Sequence, residues 1–153
     1  MSAVARRPVA WVGAVVLWAE ALGIALLNWF LGLVVDKQDM SLAGLDPHAM
    51  SVTTWIAGGI FGLYLALCGF WLARTAVRDR APGGFGRILL ISAAVVHALL
   101  GAFAVGLVGW LAFLFMMLVL GLIVVTLMAY DRHEARDAAA DAAPPGDGAP
   151  QAA

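Results

Sequence analysis

The sequence predicts an all-α integral membrane protein: a four-helix bundle made of two helical hairpins, with both chain ends on the cytoplasmic side. Three observations predict it: an extreme composition, apolar runs as long as a bilayer is thick, and arginines confined to alternate connections. The chain is 63% hydrophobic and 12% charged, with a mean hydropathy of +0.94. Soluble domains hold roughly 45–50% apolar and about 25% charged residues. A soluble fold of 153 residues with this composition would lack the polar side chains to cover its surface. The same arithmetic excludes disorder for most of the chain.

A spanning helix needs about 20 apolar residues. Residues 1–10 form a cytoplasmic N-terminus, and residues 11–35 are the first apolar run, interrupted only by Glu20 and Asn28. Arg6, Arg7 and the small-x-small triplet Ala19-Glu20-Ala21 raise a cleaved signal peptide as an alternative. The run continues 14 residues past Ala21, whereas a signal's apolar core has only about 7–15 residues and then turns polar. The segment is therefore expected to stay as a span. Residues 52–73 form the second span. The 43 residues 88–130 are too long for one crossing and suit two. The break is expected at Gly106-Leu107-Val108-Gly109, because glycine is a weak helix former. This gives a third span over 88–106 and a fourth over 109–130.

Charge placement sets the orientation. Arg6 and Arg7 precede the first span, Arg74, Arg78, Arg80 and Arg87 lie between the second and third, and Arg132 and Arg136 follow the fourth. The connection after the first span has Lys37 alone, and the turn after the third has no basic residue. The positive-inside rule places both termini in the cytoplasm. Trp11 and Trp71 then fall at the inner interface and Trp29, Trp55 and Trp110 near the outer one, with Trp18 the exception. The outer loop, 36–51, carries Asp36, Asp39, Asp46 and His48, and reads as a solvated connector with a turn at Asp46-Pro47. Gly83-Gly84-Phe85-Gly86 follows no strand, so it reads as a flexible loop and not a phosphate cradle. Arginines at span ends serve topology and lipid headgroups. The tail, 131–153, extends the fourth helix to about residue 143, where Pro144-Pro145 ends it and disorder follows.

Ionisable groups inside a span are costly and point to function. There are two, Glu20 and His97. Glu20 is nine residues past Trp11 and His97 ten past Arg87 on parallel spans, so both lie roughly 14–15 Å from the inner boundary. Tyr64, ten residues before Arg74 on the antiparallel second span, reaches the same level. Cys68 lies a turn closer to the cytoplasm, and Asn28 belongs to the outer rim. Ala93 and Gly101 flank His97 on its own face, and small neighbours give a polar side chain room. Gly58, Gly62 and Ala66 on the second span, and Ala94, Ala98, Ala102 and Gly106 on the third, read as close-packing seams. The bulky fourth span is expected to face lipid or a partner.

Two readings of Glu20 and His97 compete. One is an interhelical hydrogen bond that fixes the bundle, worth about 0.6 kcal/mol. The other is proton exchange, with Tyr64 capping the pair or packing beside it. The lone Cys68 excludes an intrachain disulfide and a cysteine metal cluster. No catalytic constellation, nucleotide loop or zinc spacing is present in the sequence, so no enzyme activity, metal or cofactor is expected. The expected partners are the lipid bilayer, a second copy or other membrane proteins, and not nucleic acid.

The segment Leu17-Trp18-Ala19-Glu20-Ala21-Leu22-Gly23 resembles the surroundings of the membrane-embedded glutamate in the small multidrug resistance transporters, and Phe70-Trp71-Leu72 resembles a stretch of their second helix. The resemblance covers about a dozen residues and implies that Glu20 binds protons and a cationic substrate alternately across a dimer. The outer loop, His97 and the tail depart from that family. In style (arginine-only inner loops, Ala/Gly/Val-rich spans, a Pro/Ala/Asp tail) the chain resembles uncharacterised small four-helix membrane proteins of actinobacteria, which implies a bacterial cell membrane location. Three functions follow as expectations: foremost an accessory or scaffold subunit of a membrane assembly, then a proton-coupled transporter acting as a dimer through Glu20, then a haem- or quinone-associated subunit using His97.

Overall fold

The computed structural model describes residues 3–39, 41 and 44–142. It is an all-α bundle of four helices: α1 (Ala3–Lys37), α2 (Pro47–Arg78), α3 (Gly84–Leu107) and α4 (Trp110–Asp141). Each is long and apolar enough to cross a membrane. Large apolar side chains also point outward along the helices, with Ile60 66% and Ile88 67% exposed. The buried core is built mainly of small and medium residues such as Ala14, Ala93 and Cys68. Water would penalise such a surface, and hydrocarbon would not.

The helix ends follow from local chemistry. Asp46 caps α2 by accepting the Ala49 N–H at 2.9 Å, and Pro47 takes the first helical position, where no N–H is needed. The outer connection is therefore 38–46, shorter than the expected 36–51, because the cap draws 47–51 into the helix. Likewise Gly84 already belongs to α3, so three of the four residues of the glycine-rich inner stretch are helical and it is not a free loop. The α3–α4 break falls within the expected tetrapeptide. Gly109 has φ 121°, a conformation that side chains resist, and its N–H and that of Val108 both reach the Ala104 carbonyl. The described part of α4 ends at Asp141. The expected stop at Pro144-Pro145 and the disorder beyond it lie outside the described residues.

α1 packs most extensively on α2, and α3 on α4. The two hairpins then meet mainly through α1 and α4, and only sparsely through α2 and α3. The Gly58 and Gly62 ridge does form a seam, against α1: Gly58 lies on Asn28, and Gly62 faces the Ala21 carbonyl and Ala25. The expected α3 ridge is corrected. Only Ala94 of that set is buried, whereas Ala98, Ala102 and Gly106 are exposed. The buried stripe is Leu90, Ala93, His97, Gly101 and Ala104, because the wide side chains of α4, such as Met117 on Gly101, seat over this face. Trp18, anomalous as an interfacial anchor, is explained: its indole N–H donates to the Ala66 carbonyl at 3.2 Å and its ring covers Gly69.

One end of the bundle gathers the charges. Arg6 binds Asp79 through two hydrogen bonds of 3.0 and 2.8 Å, and its guanidinium lies over the Tyr130 ring. Arg7 donates to the Ala76 and Val77 carbonyls at the end of α2. Arg87 pairs with Asp131, and Glu134 accepts the Ala81 N–H. Asp79 has φ 53°, which aspartate tolerates, so a charged residue can close α2 where glycine is usual. The start of α1, the α2–α3 connection and residues 131–134 thus share one end, the inner end.

The hydrogen bond from Arg6 holds the Asp79 carboxyl below the usual carboxylate range. A lowered folded-state pKa stabilises at neutral pH, and that stability is lost as pH falls through the folded pKa. Thermal stability in detergent should therefore drop more steeply below pH ~4 in the native chain than in Asp79→Asn. Asn tolerates the same backbone conformation, and for a part-exposed pair the difference should be about 1 kcal/mol or less. Parallel acid profiles would show that the pair contributes nothing.

Candidate functional site

Glu20 and His97 meet in the middle of the bundle. The His97 Nε2 lies 3.1 Å from the Glu20 Oε2, and the two side chains are only 3% and 9% exposed. Local packing aims them. Leu17 and Ala21 seat α1 in the core on either side of Glu20, and Ala93 and Gly101 leave room around the imidazole. The pair crosses the bundle between α1 and α3, two helices that otherwise pack on other neighbours.

The hydrogen bonds fix the proton count. His97 Nδ1 is 2.7 Å from the Ala93 carbonyl oxygen. A carbonyl only accepts, so Nδ1 carries a hydrogen; the tautomer is assigned from this partner. The Nε2–Oε2 contact then holds a single proton, either on a neutral Glu20 facing a neutral imidazole or on an imidazolium facing a carboxylate. Both arrangements carry no net charge, which is what a low-dielectric interior tolerates.

The other carboxyl oxygen, Oε1, is buried and has no hydrogen-bond partner. It is an acceptor in both proton arrangements. A buried unsatisfied acceptor costs about 1–3 kcal/mol. Glu20 and His97 line a cavity of about 350 Å³ whose other walls include Ile24, Phe61, Leu65, Leu100, Phe115 and Met116. The cavity is thus apolar except at the pair.

Its position follows from how the hairpins meet. The main core, including Leu17, Leu72, Leu90 and Ile123, lies at or inward of the pair. Among the described residues the other hydrogen bonds between hairpins, Tyr64 to Ser92, Cys68 to Leu89 and Ala81 to Glu134, also lie inward of it. Outward, Leu100 and Phe115 are half-exposed. The pair is therefore the outermost polar link between the hairpins, and the cavity is the cleft where they part.

Tyr64 does not join the pair. Its hydroxyl lies 2.9 Å from that of Ser92, which in turn donates to the Leu89 carbonyl. Tyr64 is expected at the level of the pair, but its hydroxyl meets the inner half of α3. Ser92 is not among the residues expected here; a hydroxyl inside an apolar span is the signal that could have found it. Cys68 is buried, with its Sγ 3.8 Å from the Leu89 carbonyl, and Asn28 donates to the Ile24 carbonyl within its own helix. In the outer connection His48 meets Asp36 at 3.4 Å and Asp46 is spent as a cap. Among the described residues no group of three His, Cys, Asp or Glu side chains is placed to hold a metal ion. Both ring nitrogens of His97 are engaged, so axial ligation by this histidine would require breaking one of its two bonds.

No family model, no curated protein and no solved structure matches this chain. The fold and site define an apolar four-helix bundle with a buried acid–base pair at the base of an apolar cleft.

Proposed function

We propose that this is a multi-pass protein of a bacterial cell membrane, with both termini cytoplasmic, that binds a small lipophilic cation at Glu20 in exchange for a proton, as the binding step of a proton-coupled carrier. The observation that carries the reading is the unpartnered, buried Oε1 of a nine-tenths-buried carboxyl that stands beside an apolar cavity and lies 3.1 Å from His97 Nε2.

The chemistry follows from charge. The pair is neutral, so a cation entering the cavity would leave a net charge in a low-dielectric site. Releasing the shared proton restores neutrality: Glu20 becomes a carboxylate facing the cation, and His97 remains neutral with its Nδ1 hydrogen on Ala93. With the carboxyl turned toward the cavity, a protonated primary amine also gives Oε1 the donor it lacks. The apolar walls receive the rest of the molecule.

The test uses 4-phenylbutylamine as the probe, added to the purified full chain in weakly buffered detergent at pH 7. About one proton should be released for each amine bound, and 4-phenylbutanol should bind with no release. Amine binding without proton release would overturn the reading.

A second reading, an accessory subunit of a membrane assembly, is favoured by the α3–α4 turn. Leu107 is 82% and Leu111 83% exposed there, with no charged residue nearby to hold the turn in water. Crosslinking in native membranes should then trap a different protein at residues 107–111. Recovery of this chain alone would count against that reading.

A further inference from the structure

The inner end carries a second pocket, of about 290 Å³, where the start of α1 meets α4. It is lined by Arg6, Arg132, His133 and Arg136, over a floor that includes Val125 and Met128. We propose that this groove is a binding site for an anionic phospholipid: the phosphate sits among the arginines, and an acyl chain lies along Val125 and Met128. The proposal is independent of Glu20 and of carrier activity.

The charge balance leaves the groove positive. Arg6, Arg132 and Arg136 outnumber the nearest carboxylates, Asp79 on Arg6 and Asp137 at 3.2 Å from His133, while Asp131 is paired with Arg87 and Glu134 accepts the Ala81 N–H. Among the described residues Arg132 and Arg136 have no carboxylate partner, and at i and i+4 they share one face of α4. Arg6 is held in place by Asp79 and by the Tyr130 ring, with its side chain 11% exposed. It presents a fixed guanidinium beside two adaptable ones, which suits a phosphate with several acceptor oxygens.

The floor argues for a lipid over a free anion. Val125 is 39% and Met128 49% exposed, and both lie one to two turns from Arg132 toward the apolar body of α4. The groove therefore runs from a cationic rim directly onto the lipid-facing surface, as a headgroup and its chain would. The other basic pocket, with Arg74, Arg78 and Arg80, lacks this continuation. Its walls are Trp71, Thr75 and the loop residues Ala81, Pro82 and Gly83, and Arg74 already stacks on Trp71.

The test is native mass spectrometry of the full chain in a nonionic detergent, titrated separately with dihexanoyl phosphatidylglycerol, dihexanoyl phosphatidylcholine and inorganic phosphate. Phosphatidylglycerol should be retained at roughly tenfold lower concentration than phosphatidylcholine. The double variant Arg132→Gln, Arg136→Gln should lose that preference, the single Arg136→Gln should reduce it, and Arg74→Gln, Arg78→Gln should keep it. Equal retention of both lipids overturns the proposal, as does a preference that survives the Arg132 and Arg136 changes. Displacement of phosphatidylglycerol by an equal concentration of inorganic phosphate would also overturn it, by assigning a bare anion site.

Discussion

Replacing Glu20 with Gln should abolish amine-driven proton release and leave the bundle folded. A glutamine amide can donate to His97 Nε2 and leave its oxygen in the place of Oε1, so the hydrogen-bond geometry around His97 is kept. What it lacks is a proton to give up. A cation entering the variant would sit uncompensated in an apolar cavity, and an unpaired buried charge costs about 3–5 kcal/mol. Affinity for 4-phenylbutylamine should fall by about two to three orders of magnitude. Binding of 4-phenylbutanol, which needs only an acceptor, should change little, and thermal stability in detergent should move by about 0.6 kcal/mol or less. These readouts separate the two roles of the pair. A purely structural hydrogen bond predicts that the amine and alcohol respond alike. An amine affinity within threefold of the native value would remove Glu20 from the proposed exchange.

The second large effect is expected at the α1–α2 seam. A Cβ added at Gly62 would stand 3.1 Å from the Ala21 carbonyl oxygen, a backbone atom that cannot rotate away, and 3.5 Å from the Ala25 Cβ. Gly62→Val should therefore push α1 from α2 and destabilise the bundle by about 1–3 kcal/mol, as overpacking does elsewhere. Gly59, one residue before Ile60, meets nothing within 4 Å, so Gly59→Val should stay within about 0.5 kcal/mol. The comparison holds composition constant and changes only the face. Ala21 is the neighbour of Glu20, so the displaced helix should also draw the carboxyl from His97 and weaken amine binding in Gly62→Val alone. Equal melting of the two variants would show that the seam is not a close-packed contact.

The Asp79 acid profile and the phosphatidylglycerol titration probe the inner end, where sequence reading went least far. Opposite charges there were visible as a list of residues, but which arginine would take which carboxylate was not. Arg6 and Asp79 are 73 positions apart and meet only because α1 and α2 are antiparallel and in this register. The same limit applies to Tyr64. Counting residues estimates depth along a span, but Tyr64 meets Ser92, five residues inward of His97. Rotation about the helix axis is a separate variable that the count leaves open.

Transfer of a side chain into hydrocarbon depends on its own chemistry and hardly on its neighbours. The number of helices, their approximate ends, the break near Gly109 and the shared level of Glu20 and His97 could therefore be read along the chain. Which faces meet depends on steric fit between helices distant in sequence, and apolar composition is nearly blind to it. Only packing decided that Ala98 and Ala102 turn outward while Gly101 lies under Met117. Packing alone also set the diagonal meeting of Glu20 with His97, and the parting of the two hairpins that leaves a buried, unpartnered carboxyl oxygen beside an apolar cleft.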